Sequence, residues 1–183
     1  MVIPLTIHLN ARLDPDARRG FDDLLLPVLA AHAPGSEITG GGALLSHTGE
    51  PQSCDIEIDL EGDPEASLAA VIKALSAYGA PRGSSVTLGD EPAIPFGEAE
   101  GVALYLNGTD LPEEVYASSD PNELIGSLTD SLGREGSVVS YWEGPQETAL
   151  YLYGRSASRM RELIGGVLAS HPLGQRSRLA DLT

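Results

Sequence analysis

The feature that most constrains this chain is an internal repeat. Residues 5–10 read LTIHLN and residues 102–107 read VALYLN, each an alternating strand ending in Asn. Residues 56–60, IEIDL, match residues 150–154, LYLYG, and a helical segment of similar length follows each. The helical segments 64–78 and 157–170 align with a one-residue gap. The match is one of pattern rather than of letters, so each copy is expected to fold as the same supersecondary unit.

Each copy reads strand, helix, strand, strand, helix, strand. In the first, Ile3, Leu5, Ile7 and Leu9 alternate with polar or small residues, the period of a half-buried strand. Asp14-Pro15 is a helix cap followed by proline at the first helical position. That helix carries Phe21, Leu24, Leu25, Val28 and Leu29 on one face, with Pro27 expected to kink or split it. Residues 36–46 and 53–60 form a hairpin around a loop containing Thr48-Gly49. Asp63-Pro64 opens a second helix with Leu68, Val71, Ile72 and Leu75 on its buried face. Gly79 and Pro81 stop it, and Ser85–Leu88 is a short last strand.

Residues 89–100, GDEPAIPFGEAE, hold two prolines and no strand or helix period. The domain boundary is expected there, giving one repeat over 1–90 and another over 98–183. The second copy has strands near 101–107, 137–143, 147–153 and 177–182. Asp120-Pro121 opens its first helix, Gly133 closes it, and Ser156 caps its second. Leu111–Ser119 is an insertion with one helical turn around Pro112–Tyr116. Two βαββαβ units in tandem are an α+β fold of duplicated ferredoxin-like (split βαβ) type, two antiparallel sheets with helices on one face each. A single open α/β sheet fits less well, because neither copy has the long apolar strands of a buried parallel sheet.

Charge narrows the function. Lys and Arg number 11 against 27 Asp and Glu, a formal net charge of −16. That disfavours nucleic acid, whose phosphates need clustered positive charge. The single cysteine, Cys54, excludes an intrachain disulfide and any multi-cysteine zinc or iron–sulfur site. No stretch approaches the ~20 apolar residues that span a bilayer. MVIPLTIHLN has neither a basic segment nor a long apolar run, so a cytoplasmic protein without a membrane partner is expected.

Alternation assigns side chains to faces. In the first copy Leu5, Ile7, Leu9, Ile56, Ile58 and Leu60 turn toward the helices, leaving Thr6, His8, Asn10, Asp55, Glu57 and Asp59 on an open face. In the second copy Leu104, Leu106, Leu150 and Leu152 turn inward. Tyr105, Asn107, Tyr151 and Tyr153 are then expected on an open face, with Tyr141 or Trp142 added from the adjacent strand according to register. Aromatics on two central strands resemble the stacking platform of RNA-recognition motifs, but the basic flanks and the Lys/Arg-Gly-aromatic run of that family are missing.

Three readings of these faces remain. They can be buried against one another, with tyrosine hydroxyls paired to Asp55, Glu57 or Asp59. They can bind a protein partner. Tyr and Trp suit interface centres, and the run Asp55, Glu57, Asp59, Glu61, Asp63, Glu65, six acids in eleven residues, would steer a basic one. They can carry catalysis, with His8 beside Asp55 or Glu57 as a general base or a hard-metal ligand set. No histidine or carboxylate at short spacing supports that last reading. His32, His47 and His171 fall at a helix end, a hairpin and a Pro-flanked turn. Cys54 falls on the inward side of its strand, where a thiol is inert.

The run Thr39-Gly40-Gly41-Gly42-Ala43 lacks the lysine of a phosphate loop and leads into a strand, so it reads as a bulge or bend. Arg155, Arg159, Arg161, Arg176 and Arg178 gather five of the eleven basic residues near the C-terminus. They have the charge to meet the acidic face of the first copy, in the same molecule or in a homodimer, although Arg159 and Glu162 also suit an ordinary helix pair.

The first expectation is therefore a non-catalytic interaction protein that binds a protein partner, plausibly a basic one, through acidic and aromatic sheet faces. Small acidic proteins that neutralise a basic toxin, as antitoxin or immunity proteins do, share this charge and size. The alternative is a duplicated α+β-barrel enzyme or small-molecule-binding protein with a pocket between the two sheets. Neither a metal nor a cofactor is called for by the residues.

Overall fold

The same order of elements forms twice in the computed structural model, which describes residues 2–182. The chain divides into two compact units: Met1–His47 with Pro51–Glu98, and Thr48–Glu50 with Ala99–Thr183. The first contains β1 (Ile3–Leu9), α1 (Pro15–His32), β2 (Glu37–Leu45), β3 (Pro51–Leu60), α2 (Pro64–Tyr78), β4 (Ser84–Leu88) and a short β5 (Ile94–Phe96). Its sheet runs β2-β3-β1-β4-β5, antiparallel throughout. The second contains β6 (Glu100–Asn107), α3 (Glu113–Ser118), α4 (Pro121–Leu132), β7 (Gly136–Glu143), β8 (Glu147–Gly154), α5 (Ala157–Ser170), a 3-10 turn at Pro172–Gly174 and β9 (Arg178–Leu182). Its antiparallel sheet runs β7-β8-β6-β9. With β5 set aside, both sheets order their strands second, third, first, fourth, the ferredoxin-like α+β arrangement duplicated in tandem.

Helix starts follow the Asp-Pro signals. Asp14 accepts from the amides of Asp16 and Ala17, both at 2.9 Å, and Asp63 accepts from those of Glu65 and Ala66. Asp120 accepts from Asn122 at 2.8 Å, and Ser156 caps α5. These side chains satisfy amides that the helix itself leaves without partners. Gly79 closes α2 at φ 101°, a left-handed conformation that glycine adopts without strain.

Periodicity then selects the cores. Phe21, Leu25 and Leu29 of α1 and Val71 and Leu75 of α2 are buried, as are the inward residues Leu5, Ile7, Leu9, Ile56, Ile58 and Leu60. In the second unit Leu124, Leu128 and Leu132 of α4 join Met160 and Ile164 of α5 over Val102, Leu104, Leu150 and Leu152.

Two local expectations need correction. Of the kink or split expected at Pro27, the split does not occur, and α1 is continuous to His32. Asp23, whose carbonyl loses its hydrogen bond to the proline, is exposed together with Pro27, so solvent can replace the missing donor. The segment 89–100 is not wholly irregular, because Ile94–Phe96 pairs with β4. A three-residue strand has too few positions to show a period, and at the sheet edge it tolerates Pro95. The glycine run does form the expected bend. The pairing of β2 with β3 shifts between Ile38 and Gly40, and Gly41 has φ 139°. A Cβ at Gly41 would strike the Asp55 carbonyl. Among the described residues, no helix is long and apolar enough to cross a membrane.

Candidate functional site

The first sheet carries the strongest candidate surface. Thr6 stands opposite Glu57 and His8 opposite Asp55, while Leu5, Ile7 and Leu9 occupy the other face. Asp55, Glu57 and Asp59 therefore follow one another along β3 on the side away from the core, and Glu57 and Asp59 are exposed. On one flank β1 places Thr6 and His8 beside them. On the other, β2 places Gly42 against Asp55 and Gly40 against Glu57. Neither glycine has a side chain to cover the carboxylates, and a Cβ at Gly40 would sit 3.3 Å from Glu57 Oε2. The result is a shallow acidic trough with a floor of bare backbone.

His8 Nδ1 lies 2.8 Å from Asp55 Oδ1, and their side chains are 41% and 49% exposed. The ionised carboxylate only accepts, so the ring nitrogen is the donor. Among the described residues no lysine or arginine pairs with the Glu57 or Asp59 carboxylate, and no group of three or more His, Cys, Asp or Glu is arranged to hold a metal ion. A histidine–carboxylate pair lying half exposed on an open face lacks the water-excluding enclosure that strengthens acid–base chemistry.

The tyrosines follow the buried reading rather than the open-face one. Tyr105 and Tyr153 are 6% exposed and Tyr151 is fully buried, so they form no open face. Burial of Gly101–Leu106 is continuous, as is that of Ala149–Tyr153. The hydroxyls of Tyr105 and Tyr151 both donate to Glu50 Oε1, at 2.6 and 2.9 Å, rather than to Asp55, Glu57 or Asp59. A carboxylate receiving two hydroxyls answers the polar cost of burying both phenols. The Arg178 guanidinium lies 3.5 Å from the centre of the Tyr105 ring, and Tyr153 packs over Gly101, where a Cβ would come within 2.7 Å of its ring. Glu50 and Gly101 were not singled out by the sequence. A glycine inside an otherwise apolar strand was the one available signal, since it marks a place for a neighbouring ring.

Register separates Tyr141 from Trp142. Ser140 pairs with Tyr151 and Trp142 with Ala149, so Trp142 shares the tyrosine side of the sheet. Its indole lies against Gly144, where no Cβ would fit. Tyr141 pairs with Leu150 on the helix side and is 52% exposed.

Four of the five C-terminal arginines find partners within their own unit. Arg161 donates twice to Asp181 Oδ1, at 2.9 and 2.7 Å, and Arg159 pairs with Glu162 at 2.9 Å. Arg178 makes a two-pronged contact with Glu147 at 2.9 and 2.7 Å, and Arg176 donates to the Asp110 carbonyl. The Arg178 contact holds the Glu147 carboxyl below its ordinary range. Cys54 is buried as alternation required, and desolvation pushes its thiol up to about 11.

With strand order and faces established, the class is an α+β protein of two ferredoxin-like units. Neither a protein-family model nor a curated protein sequence matches the chain. Among solved structures, an unknown protein from Galdieria sulphuraria is 9% identical, covering 100% of this chain and 98% of its own at a TM-score of 0.33. The regulatory subunit of aspartate kinase from Thermus flavus is 12% identical over 91% of this chain and 94% of its own, with a TM-score of 0.31. The first two RRM domains of a yeast poly(U)-binding protein are 9% identical over 98% and 99%, with a TM-score of 0.26. Such loose superpositions carry no functional argument, and the fold rests on the strand order itself.

Proposed function

We propose that this is a non-catalytic binding protein that receives a basic protein partner on the acidic trough of its first sheet. The observation that carries the reading is the row Asp55, Glu57, Asp59, set on a central strand and flanked by glycine backbone on β2. Carboxylates placed mid-sheet are unusual where the face merely meets water, because a strand can be solvated by neutral polar residues at less self-repulsion. Here they lie close enough together to present one negative field. The net charge of −16 extends that field and would speed encounter with a positive surface. Tyr105 and Tyr151 play no direct part in this reading, since their hydroxyls are occupied by Glu50.

The purified chain, used as bait in native extract at low and at high salt, tests this. A stoichiometric basic protein held at low ionic strength and released at high is the expected result. Retention of nothing at either salt, or of a partner indifferent to salt, would remove the reading.

A further inference from the structure

A cavity lies within the second unit, on the helix-facing side of its sheet. Thr148 stands opposite both Leu106 and Glu143, and Leu150 opposite Tyr141. Together with the first turn of α4, which begins at Pro121, they line a cavity of about 360 Å³. Its floor is apolar, formed by Leu106 and Leu150 with Ile125 of α4, and Tyr141 stands at its side. Asn122, Thr148 and Glu143 supply the polar lining.

The polar groups decide the ligand's charge. The first amides of α4 are already used: Asn122 N donates to Asp120 Oδ1 at 2.8 Å and Glu123 N to the Asp120 carbonyl at 3.1 Å. The Asn122 side-chain amide also donates to Asp120, at 3.0 Å. The helix start therefore has no free backbone amide for an anion, and the lining contains no lysine, arginine or histidine. Glu143 is exposed and, among the described residues, makes no ion pair. An apolar floor, an aromatic wall and an unpaired carboxylate at the rim fit one kind of molecule.

We infer that this cavity binds a small organic cation, a protonated amine carried on a flat apolar body. The body lies on Leu106, Leu150 and Ile125 beside the Tyr141 ring, and the ammonium meets Glu143. The volume is at the lower end of small-molecule pockets, which sets the ligand at one ring and a short arm. The site is independent of the acidic trough, with which it shares no residue.

The test is a titration of the isotopically labelled full chain, followed by amide NMR, with 2-phenylethylamine as probe. 2-Phenylethanol and 3-phenylpropanoate serve as neutral and anionic counterparts. Saturable shifts confined to residues 121–125, 141–143 and 147–150 are expected with the amine, weaker ones with the alcohol and none with the carboxylate. Glu143→Gln should weaken the amine roughly two- to five-fold, the range of an exposed ion pair. Ile125→Trp should fill the cavity and abolish binding, and Glu57→Gln should change nothing. Shifts that never saturate, that spread over other acidic residues, or that are matched by the carboxylate would overturn the inference. So would unchanged affinity in Glu143→Gln, whose exposed position keeps the fold intact.

Discussion

At the scale of single residues, glycine and cysteine show how the first sheet is arranged. Gly40 and Gly42 leave the carboxylates of Glu57 and Asp55 uncovered, and Gly41 adopts a backbone angle that lets β2 approach the Asp55 carbonyl. One residue before Asp55, alternation turns Cys54 into the core, where desolvation holds the thiol protonated with a value of about 11. At pH 8 the thiolate, the reactive form, is then a negligible fraction. Ellman's reagent should leave the native protein unmodified and release one equivalent of chromophore in guanidinium. Prompt stoichiometric reaction of the native chain would contradict this burial. Cys54, Asp55, Glu57 and His8 were all legible because a strand's period of two needs only local sequence. Glu50 was not legible, since the tyrosines it receives lie 55 and 101 residues further along the chain. No local rule connects such positions.

Among the elements, the edge strand β9 shows a charge pair doing structural work. Arg178 reaches over the Tyr105 ring of β6 and holds Glu147 of β8 with two hydrogen bonds, so one side chain ties three strands together. The folded-state value of Glu147 is lowered from its ordinary 4.5. Its contribution is therefore present above the unfolded value and is lost as pH falls through the folded one. Both side chains are substantially exposed, which limits the effect to less than about 1 kcal/mol. Glu147→Gln should melt slightly below the wild type at pH 7, with the difference closing as pH drops below that range. A constant difference from pH 7 to pH 3.5 would show that the ion pair is not its source. The sequence left these arginines two kinds of partner, the first copy's acids or ordinary local carboxylates, and strand pairing brings Arg178 within reach of Glu147. Strand pairing fixes which charges meet, and pairing is not local information. The helices were easier to read, because Asp-Pro starts and 3.6-residue spacing are written within single segments. Strand β5 escaped for the converse reason, being too short to have a pattern.

For the whole molecule, duplication explains why the two copies read alike and yet differ in use. The same strand order gives each copy a helix-covered face and a second face. In the first copy the second face presents Asp55, Glu57 and Asp59, whereas in the second it holds buried tyrosines. The repeat pattern is enough to specify this architecture, because βαββαβ order and apolar spacing are both written in the sequence. What the repeat cannot supply is the fate of each second face, since burial there depends on which polar partners arrive. The central claim is that the acidic trough is the binding surface. The most direct test is the dissociation constant of the captured basic partner for the wild type and for a combined Asp55→Asn, Glu57→Gln, Asp59→Asn variant, each measured across a range of salt. Binding should weaken by roughly tenfold or more, with a shallower salt dependence, because the neutralised residues supply the field. An equal constant and an equal salt slope for the two proteins would contradict it.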